Sequence, residues 1–224
     1  YSYSAPGYTW KAGLKHTNIK LDFIKDKELL LLLENNIRGG ISSVMGDRHK
    51  KKDQNHKLLY VDANNLYGWA MSQYLPTGDF EKLHPTNFNN VETQQIVQEI
   101  CQLPDGDGYG YFVECDLEYP ANIKEKTMNF PFCPESKKVE PIFTTYMENI
   151  KLDNYKPTTK LICDQNDKIK YMLHYRMLKF YVRHGMKVTK IHTIFRFKQS
   201  SWLAKYIDHN TQKRTKAKTN FEKD

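Results

Sequence analysis

The sequence predicts an α+β fold in which helices flank an antiparallel sheet. In residues 111–119, apolar side chains alternate with Glu114, Asp116 and Glu118, the period-two pattern of a half-buried strand that is typical of antiparallel sheets. Residues 26–36 carry leucines at helical spacing, and a second helix is expected over residues 92–101. Predicted helices and strands follow one another in mixed order, as in α+β proteins.

Composition and charge favour a folded protein with an anionic partner. The chain has 224 residues, 34 Lys and Arg against 26 Asp and Glu, a formal net charge of +8 and a pI near 9.1. This balance favours nucleic acid first and an anionic membrane second, although a merely soluble basic domain remains an alternative. The aromatic content of 13% argues against disorder. No apolar run approaches the roughly 18 residues of a membrane span.

The spacing of the cysteines bears on where in the cell the protein is found, and the first residue bears on whether the chain begins at its natural N-terminus. The four cysteines are widely and irregularly spaced, which fits neither a zinc site nor a disulfide framework: Cys101, Cys115, Cys133 and Cys163. We interpret them as reduced packing residues of an intracellular protein, nuclear or organellar rather than secreted. Because the chain opens with Tyr rather than Met and shows no signal peptide, we expect that its natural N-terminus is missing.

Further elements are predicted from local patterns. The helix over 26–36 buries Leu29, Leu30, Leu32 and Leu33 and ends at Gly39-Gly40. A short helix spans 66–73, before Pro76. Residues 160–163 and 169–175 flank a polar turn as a hairpin. A helix over 176–184 stops at Gly185, a strand spans 187–197, and a last helix runs from a Ser200 cap to about residue 207.

One apolar segment ends in an acidic residue. Leu58, Leu59, Tyr60 and Val61 form a continuous apolar run, as expected of a strand buried on both faces, and Asp62 follows directly. A carboxylate at the end of such a strand costs free energy unless something compensates, and a metal ion is a common compensation. The alternative is that Asp62 only caps the helix that follows.

The segment Asp62-Ala-Asn-Asn-Leu-Tyr-Gly68 resembles motif A of the family B DNA polymerases, with Gly68 in place of the usual proline. The longer stretch, residues 60–71, is similar to the protein-primed branch found in large self-synthesising transposons and linear plasmids. Two flanking segments agree with it. Ile37-Arg-Gly-Gly40 resembles the aromatic-x-Gly-Gly loop of that branch, and Tyr3-Ser-Ala-Pro-Gly7 resembles the end of its exonuclease part.

The resemblance implies part of a polymerase palm, an antiparallel sheet with flanking helices, together with an inserted subdomain. Residues 1–57 would form the exonuclease-to-polymerase junction, and residues 58–76 would form palm motif A. Residues 77–200 would hold the insertion between motifs A and B with further palm strands. Residues 201–224 would approach motif B in the fingers, so the chain is expected to be an internal fragment.

The resemblance also implies roles for individual residues. Asp62 would be catalytic and, with the Ala63 carbonyl, would ligate Mg²⁺, two ions of which serve the intact enzyme. Nucleotide-binding residues would be Ala63, Asn64, Asn65, Leu66, Tyr67 and Lys223, with Tyr67 under the incoming sugar. DNA contacts would come from Arg38, Gly39, Gly40, Arg214 and Lys218. The alternatives are a core tyrosine, a plain helix stop at the glycines and a solvated helix face in the tail.

The implied activity is DNA-directed DNA synthesis by two-metal nucleotidyl transfer in the intact protein. Its partners would be a DNA template-primer, dNTPs and, in the protein-primed branch, a terminal priming protein, with no membrane. This chain alone is expected to be inactive, because motifs B and C do not occur in it. A catalytically dead, transposon-derived remnant that binds DNA is the alternative. A basic nuclease is a weaker one, since the clustered carboxylates it needs cannot be placed.

Overall fold

The computed structural model describes residues 2–41, 52–83, 88–106, 108–139 and 158–219. It confirms the predicted α+β class and the antiparallel sheet. The elements in chain order are α1 (Ala5–Thr17), α2 (Lys27–Asn35), α3 (Leu66–Met71), β1 (Leu75–Lys82), α4 (Asn90–Gln102), β2 (Tyr109–Glu118), α5 (Ala121–Lys124), β3 (Glu135–Val139), β4 (Thr158–Ile162), β5 (Lys168–His174), α6 (Tyr175–Arg183), β6 (Lys187–Ser200) and α7 (Ala204–Lys216).

The main sheet has four strands in the order β1-β6-β2-β5, and every neighbouring pair is antiparallel. The 14-residue β6 is its longest strand and lies between β1 and β2. A separate two-stranded ribbon joins β3 to β4. Among the described residues, no helix combines the length and apolar character needed to cross a bilayer.

Strand β2 confirms the period-two prediction. Its Val113, Cys115 and Leu117 are buried in the main core, while the acidic residues between them are partly exposed. Helices α4 and α6 cover this face of the sheet. The contact of α4 with β6 includes a hydrogen bond from the Ile191 amide to Thr93 Oγ1, 3.3 Å long, so a buried polar side chain is satisfied there.

Helix α2 covers the opposite face. Asp26 caps it by accepting a hydrogen bond from the Leu29 amide at 3.0 Å. Leu29 is fully buried against Met172 and Phe195. The prediction that Leu30 is also buried is wrong. Leu30 follows Leu29 around the helix, its side chain points away from the sheet, and it is 41% exposed. The helix ends at Asn35, with Asn36 as its C-cap, rather than at the glycines.

The cysteines behave as packing residues in the described structure. All four are free, and Cys115 and Cys133 are fully buried. Burial raises the pKa of Cys133 to about 12, so its thiol is protonated at neutral pH and has little nucleophilic character.

Two terminal helices differ from prediction. Helix α1 was not predicted; it begins directly after Ser4, whose Oγ accepts a hydrogen bond from the Gly7 amide at 3.3 Å. Helix α7 starts at Ala204 and continues to Lys216, beyond the predicted end near residue 207, and Ser200 belongs to β6 instead of capping it. The two helices pack together through Trp10 and Trp202, whose ring centroids are 5.6 Å apart.

The predicted hairpin of residues 160–175 is wrong. β4 pairs with β3, and β5 pairs with β2, so the two segments belong to different sheets. The partner strand β3 lies in a region without period-two alternation, which is why the sequence pattern did not reveal it. Strand β1 was also not predicted, because Pro76 stands inside it; the strand lies at the sheet edge, where a missing amide donor is tolerated.

The predicted buried strand over residues 58–61 is wrong as well. These four apolar residues form no strand and are between 66% and 95% exposed. No described strand pairs with them, and an isolated segment cannot satisfy its backbone or bury both faces. The rigid strand mount expected for Asp62 is therefore not present in the described structure.

A buried ion cluster joins β5 to the ribbon. Lys168 is fully buried, lies 3.1 Å from Glu135 and also binds Asp164, while the partly exposed Lys137 lies 2.8 Å from Glu135 and 2.9 Å from Asp164. Burial raises the pKa of Asp164, but hydrogen bonds from Lys168 and Lys137 outweigh this and hold it well below its usual range. The carboxylate is therefore ionised at all ordinary pH values.

Candidate functional site

An open cleft of about 770 Å³ separates the start of α3 from α7. One wall consists of Asn64, Asn65, Gly68 and Met71. The other is formed by successive turns of α7: Ile207, Asn210, Thr211, Arg214 and Thr215. The structure thus brings two predicted nucleotide-binding residues, Asn64 and Asn65, to the same cleft as the predicted DNA-binding residue Arg214, about 150 residues away along the chain.

The α3 wall depends on a close contact between Asn65 and Gly68. Asn65 adopts a left-handed conformation, with φ 50° and ψ 43°, and its side chain makes no capping hydrogen bond. The amide lies over Gly68 instead, and a Cβ at position 68 would be 2.5 Å from Asn65 Cγ. Glycine is therefore required by the way Asn65 folds back on the helix.

Gly68→Ala is expected to lower the free energy of unfolding by about 2 kcal/mol, because the new methyl group overlaps the Asn65 amide. Asn65→Gly removes that amide and tolerates the left-handed backbone. Chemical denaturation of both single variants and of the double variant checks the contact. We expect the double variant to recover most of the loss. Additive losses would show that Gly68 is needed for another reason.

Asp62 lies just before this wall and is exposed. Its Oδ1 accepts a hydrogen bond from the Ala63 amide at 3.0 Å. Neither residue lines the cleft, which begins at Asn64. Asp62 does not cap α3, since Asn65 occupies the N-cap position. The alternative reading as a simple capping aspartate therefore does not account for it.

Tyr67 and Leu66 project from α3 into open space. Tyr67 is 86% exposed, so the alternative of a core tyrosine is wrong, because no described element packs on its ring. Neither residue lines the cleft. An exposed aromatic ring beside a cleft can support a planar or sugar group of a bound ligand.

Arg38 is held by the sheet. Its guanidinium lies 3.9 Å from the centre of the Tyr171 ring and donates to the Met172 carbonyl at 3.0 Å, with a further hydrogen bond to Asn36. These contacts fix the segment that leads to Gly39 and Gly40 against β5. Both glycines are exposed, and Gly40 has φ 88°, a conformation that favours glycine. Contacts with DNA remain a prediction for all three.

The basic residues of the C-terminal part are only partly described. Arg214 and Lys218 are exposed, and Lys223 lies outside the described residues. No carboxylate of the described part lies within ion-pair distance of Arg214. Sequence reasoning missed the neutral cleft residues of α7; their spacing of three or four positions was the available signal, but the helix was predicted to end near residue 207.

The oxygen atoms near the cleft are of the type that Mg²⁺ prefers as ligands, but there are few of them. Within the described ranges, no group of three or more His, Cys, Asp or Glu side chains could hold a metal. Asp62 and the Ala63 carbonyl are hard oxygen donors, and protein-bound Mg²⁺ is commonly held by one or two carboxylates plus substrate phosphates and water. The residues present are thus compatible with a metal that binds together with a nucleotide.

Comparison with solved structures identifies the fold. The orthorhombic crystal form of phi29 DNA polymerase matches with a TM-score of 0.51 and 16% sequence identity, over 96% of this chain and 33% of that chain. The chain has the fold of part of a DNA polymerase. A complex of phi29 DNA polymerase with primer-template DNA and incoming nucleotides matches with a TM-score of 0.47 and 15% identity, over 97% of this chain and 32% of that chain.

The polymerase fold confirms the predicted resemblance to the protein-primed family B enzymes at the level of structure. The chain spans about a third of the length of the matched polymerase. No protein-family model matches the sequence, and a search of curated proteins finds no match. At 16% identity the similarity concerns the fold, so the roles of individual residues depend on the geometry described above.

Proposed function

We propose that this chain is part of a DNA-directed DNA polymerase and that the cleft between α3 and α7 binds the incoming dNTP. The observation that carries the proposal is the convergence of the motif A residues Asn64 and Asn65 with Arg214 on one open cleft. Arg214 supplies a cation without a carboxylate partner among the described residues, as a triphosphate site requires. The polymerase fold gives this convergence a functional context.

In this proposal the residues divide the work. Asp62, with the Ala63 carbonyl, holds Mg²⁺, which when bound stabilises charge on the attacking and leaving oxygens. Asn64, Asn65 and Leu66 face the triphosphate, and Arg214 binds its phosphates. Tyr67 lies under the sugar, where its ring leaves little room for a 2′-hydroxyl. Lys218 and Lys223 extend the basic surface beyond α7.

We further propose that the complete functional site includes segments outside the described residues. The exposed apolar residues 58–61 need a strand partner, and we propose that a palm segment outside the described residues provides it. Residues 77–200, which contain the four-stranded sheet except for the start of β1, would hold the insertion between motifs A and B together with further palm strands. A terminal priming protein is a proposed partner of this insertion.

Arg214→Ala is expected to weaken binding of Mg²⁺·dNTP to the complete protein about tenfold, because a charge-assisted hydrogen bond to phosphate is lost. Isothermal titration with a dNTP measures this. Lys205→Ala is a matched control, since Lys205 is an exposed cation in the first turn of the same helix but does not line the cleft. Equal losses in the two variants would mean that only the net charge of α7 matters.

A second candidate is a catalytically dead remnant that binds DNA. The net charge of +8 is compatible with it, but charge alone would not place Asn64, Asn65 and Arg214 on one cleft. A primer-extension assay with the complete protein separates the two. Magnesium-dependent synthesis supports the enzyme, and DNA binding without synthesis supports the remnant.

A further inference from the structure

A second groove, of about 610 Å³, runs along the other side of α3, between α3, the start of β1 and α6. Its surface is mainly apolar, and several of its side chains are solvent-exposed although they are large: Trp69, Tyr74, Met177 and Phe180. Trp69 is 59% exposed and Phe180 is 42% exposed. The Phe180 ring is also held in place, with its centroid 4.2 Å from that of His184. The groove thus presents two aromatic rings on two different helices.

The groove carries a positive charge along α6. Arg176, Lys179 and Arg183 line it, and Asp105 is the one acidic side chain among the described residues of its lining. Lys179 lies 2.8 Å from Asp105 and Arg176 lies 3.6 Å from it. A hydrogen bond from Lys179 holds the pKa of Asp105 below its usual value, so this carboxyl is ionised at neutral pH. Three cations and one anion leave an excess of two positive charges.

His174, which also lines the groove, is neutral at pH 7. Burial, assisted by the nearby Arg176, lowers the pKa of His174 to about 4. Arg183 is exposed, and no carboxylate of the described part of the chain lies within ion-pair distance of it. An apolar protein surface that covered this groove would therefore leave the Arg183 charge without a partner, at a substantial desolvation cost.

We infer that this groove binds single-stranded DNA, with bases stacked on Trp69 and Phe180 and a phosphate bound by Arg183. Exposed aromatic rings beside a basic rim are the features by which proteins hold unpaired strands, since every base offers a π-face and every linkage a negative charge. A duplex would not use the rings, because its bases are already stacked. The choice of DNA over RNA rests on the proposed polymerase function; the groove itself is assigned from its own residues.

Trp69→Ala and Arg183→Ala test the inference in the complete protein. We expect each to weaken binding of a fluorescein-labelled oligo(dT) about tenfold in fluorescence anisotropy, since one stacked base or one phosphate contact is lost. Arg183→Ala should also reduce the slope of log affinity against log salt by about 0.7, whereas Trp69→Ala should leave the slope unchanged. Trp69→Phe should retain most of the affinity.

Matched controls lie outside the groove. Phe23 is an aromatic residue that is 90% exposed, and Lys190 is an exposed cation on β6 without an ion pair among the described residues. Phe23→Ala and Lys190→Ala are expected to change oligo(dT) affinity less than twofold. The inference is wrong if the groove variants bind oligo(dT) as the unchanged protein does. It is also wrong if their loss of affinity is no larger than that of these two controls.

Three further outcomes are distinguishable. Tighter binding of oligo(U) than of oligo(dT), lost on Trp69→Ala, would overturn the choice of DNA. Self-association in sedimentation that Trp69→Ala abolishes, with oligo(dT) affinity unchanged, would assign the groove to a second copy of the chain and overturn the inference. If the unchanged protein binds oligo(dT) but does not bind dNTP, the proposed nucleotide site at the Arg214 cleft is overturned, while the inference that the groove binds single-stranded DNA is supported.

Discussion

Asp62→Asn in the complete protein is expected to lower the rate of DNA synthesis by about a thousandfold or more, because a metal clamp supplies several kcal/mol of transition-state stabilisation. The substitution keeps the size of the side chain and an oxygen that can accept from the Ala63 amide, so folding should be unaffected. A primer-extension assay at several Mg²⁺ concentrations measures the effect. Binding of template-primer should remain within a few-fold of the unchanged protein.

Asp208→Asn provides the matched control for this experiment. Asp208 is an exposed aspartate on α7 that binds Gln212 and does not line the cleft. Its substitution makes the same change of charge near the same site, and synthesis should fall less than twofold. Equal rates for Asp62→Asn and the unchanged protein would remove the proposed catalytic role. Parallel loss of synthesis and of template-primer binding would indicate misfolding rather than a catalytic carboxylate.

Lys168→Met is expected to have the largest effect on stability, lowering the free energy of unfolding by about 3 kcal/mol. Lys168 is fully buried, and the substitution removes the buried ammonium group that pairs with Glu135 and Asp164. Because both carboxylates are 23% exposed, water compensates in part, which places the cost near the lower end of the range for broken buried ion pairs. Urea denaturation followed by circular dichroism measures it.

Lys137→Met is the control for the buried ion pair. Lys137 binds the same two carboxylates, at 2.8 Å and 2.9 Å, but its side chain is 40% exposed. Its replacement is expected to cost less than about 1 kcal/mol, as for other solvated ion pairs. Losses of the same size in both variants would show that burial of Lys168 does not set the strength of the cluster, and the proposed cause would have to be abandoned.

Local patterns in the sequence predicted several elements well. The alternation in residues 111–119 predicted β2, the capped leucine-rich segment predicted α2, and Gly185 with φ 98° ends the helix region where it was expected. The segment before Pro76 predicted a short helix over residues 66–73, and α3 spans Leu66–Met71. Each of these depends on residues within a few positions of one another, so periodicity and capping chemistry are sufficient to recognise them.

Other features depend on contacts between distant residues. Strand β4 pairs with β3 instead of β5, and residues 58–61 remain exposed although their composition is that of a buried strand. An apolar segment becomes a buried strand only if a partner strand and covering elements are present, and local composition does not report on either. The exposed state of Asp62 follows from the same cause.

The sequence by itself determined the local elements, the positive charge and the motif A residues that resemble a polymerase. Only the tertiary structure decided that Arg214 faces Asn64 and Asn65 across one cleft, and that Trp69 and Arg183 share a groove. The physical reason is that helix packing and strand pairing join residues more than 100 positions apart. Such contacts arise from the burial of whole faces, which no short stretch of sequence contains.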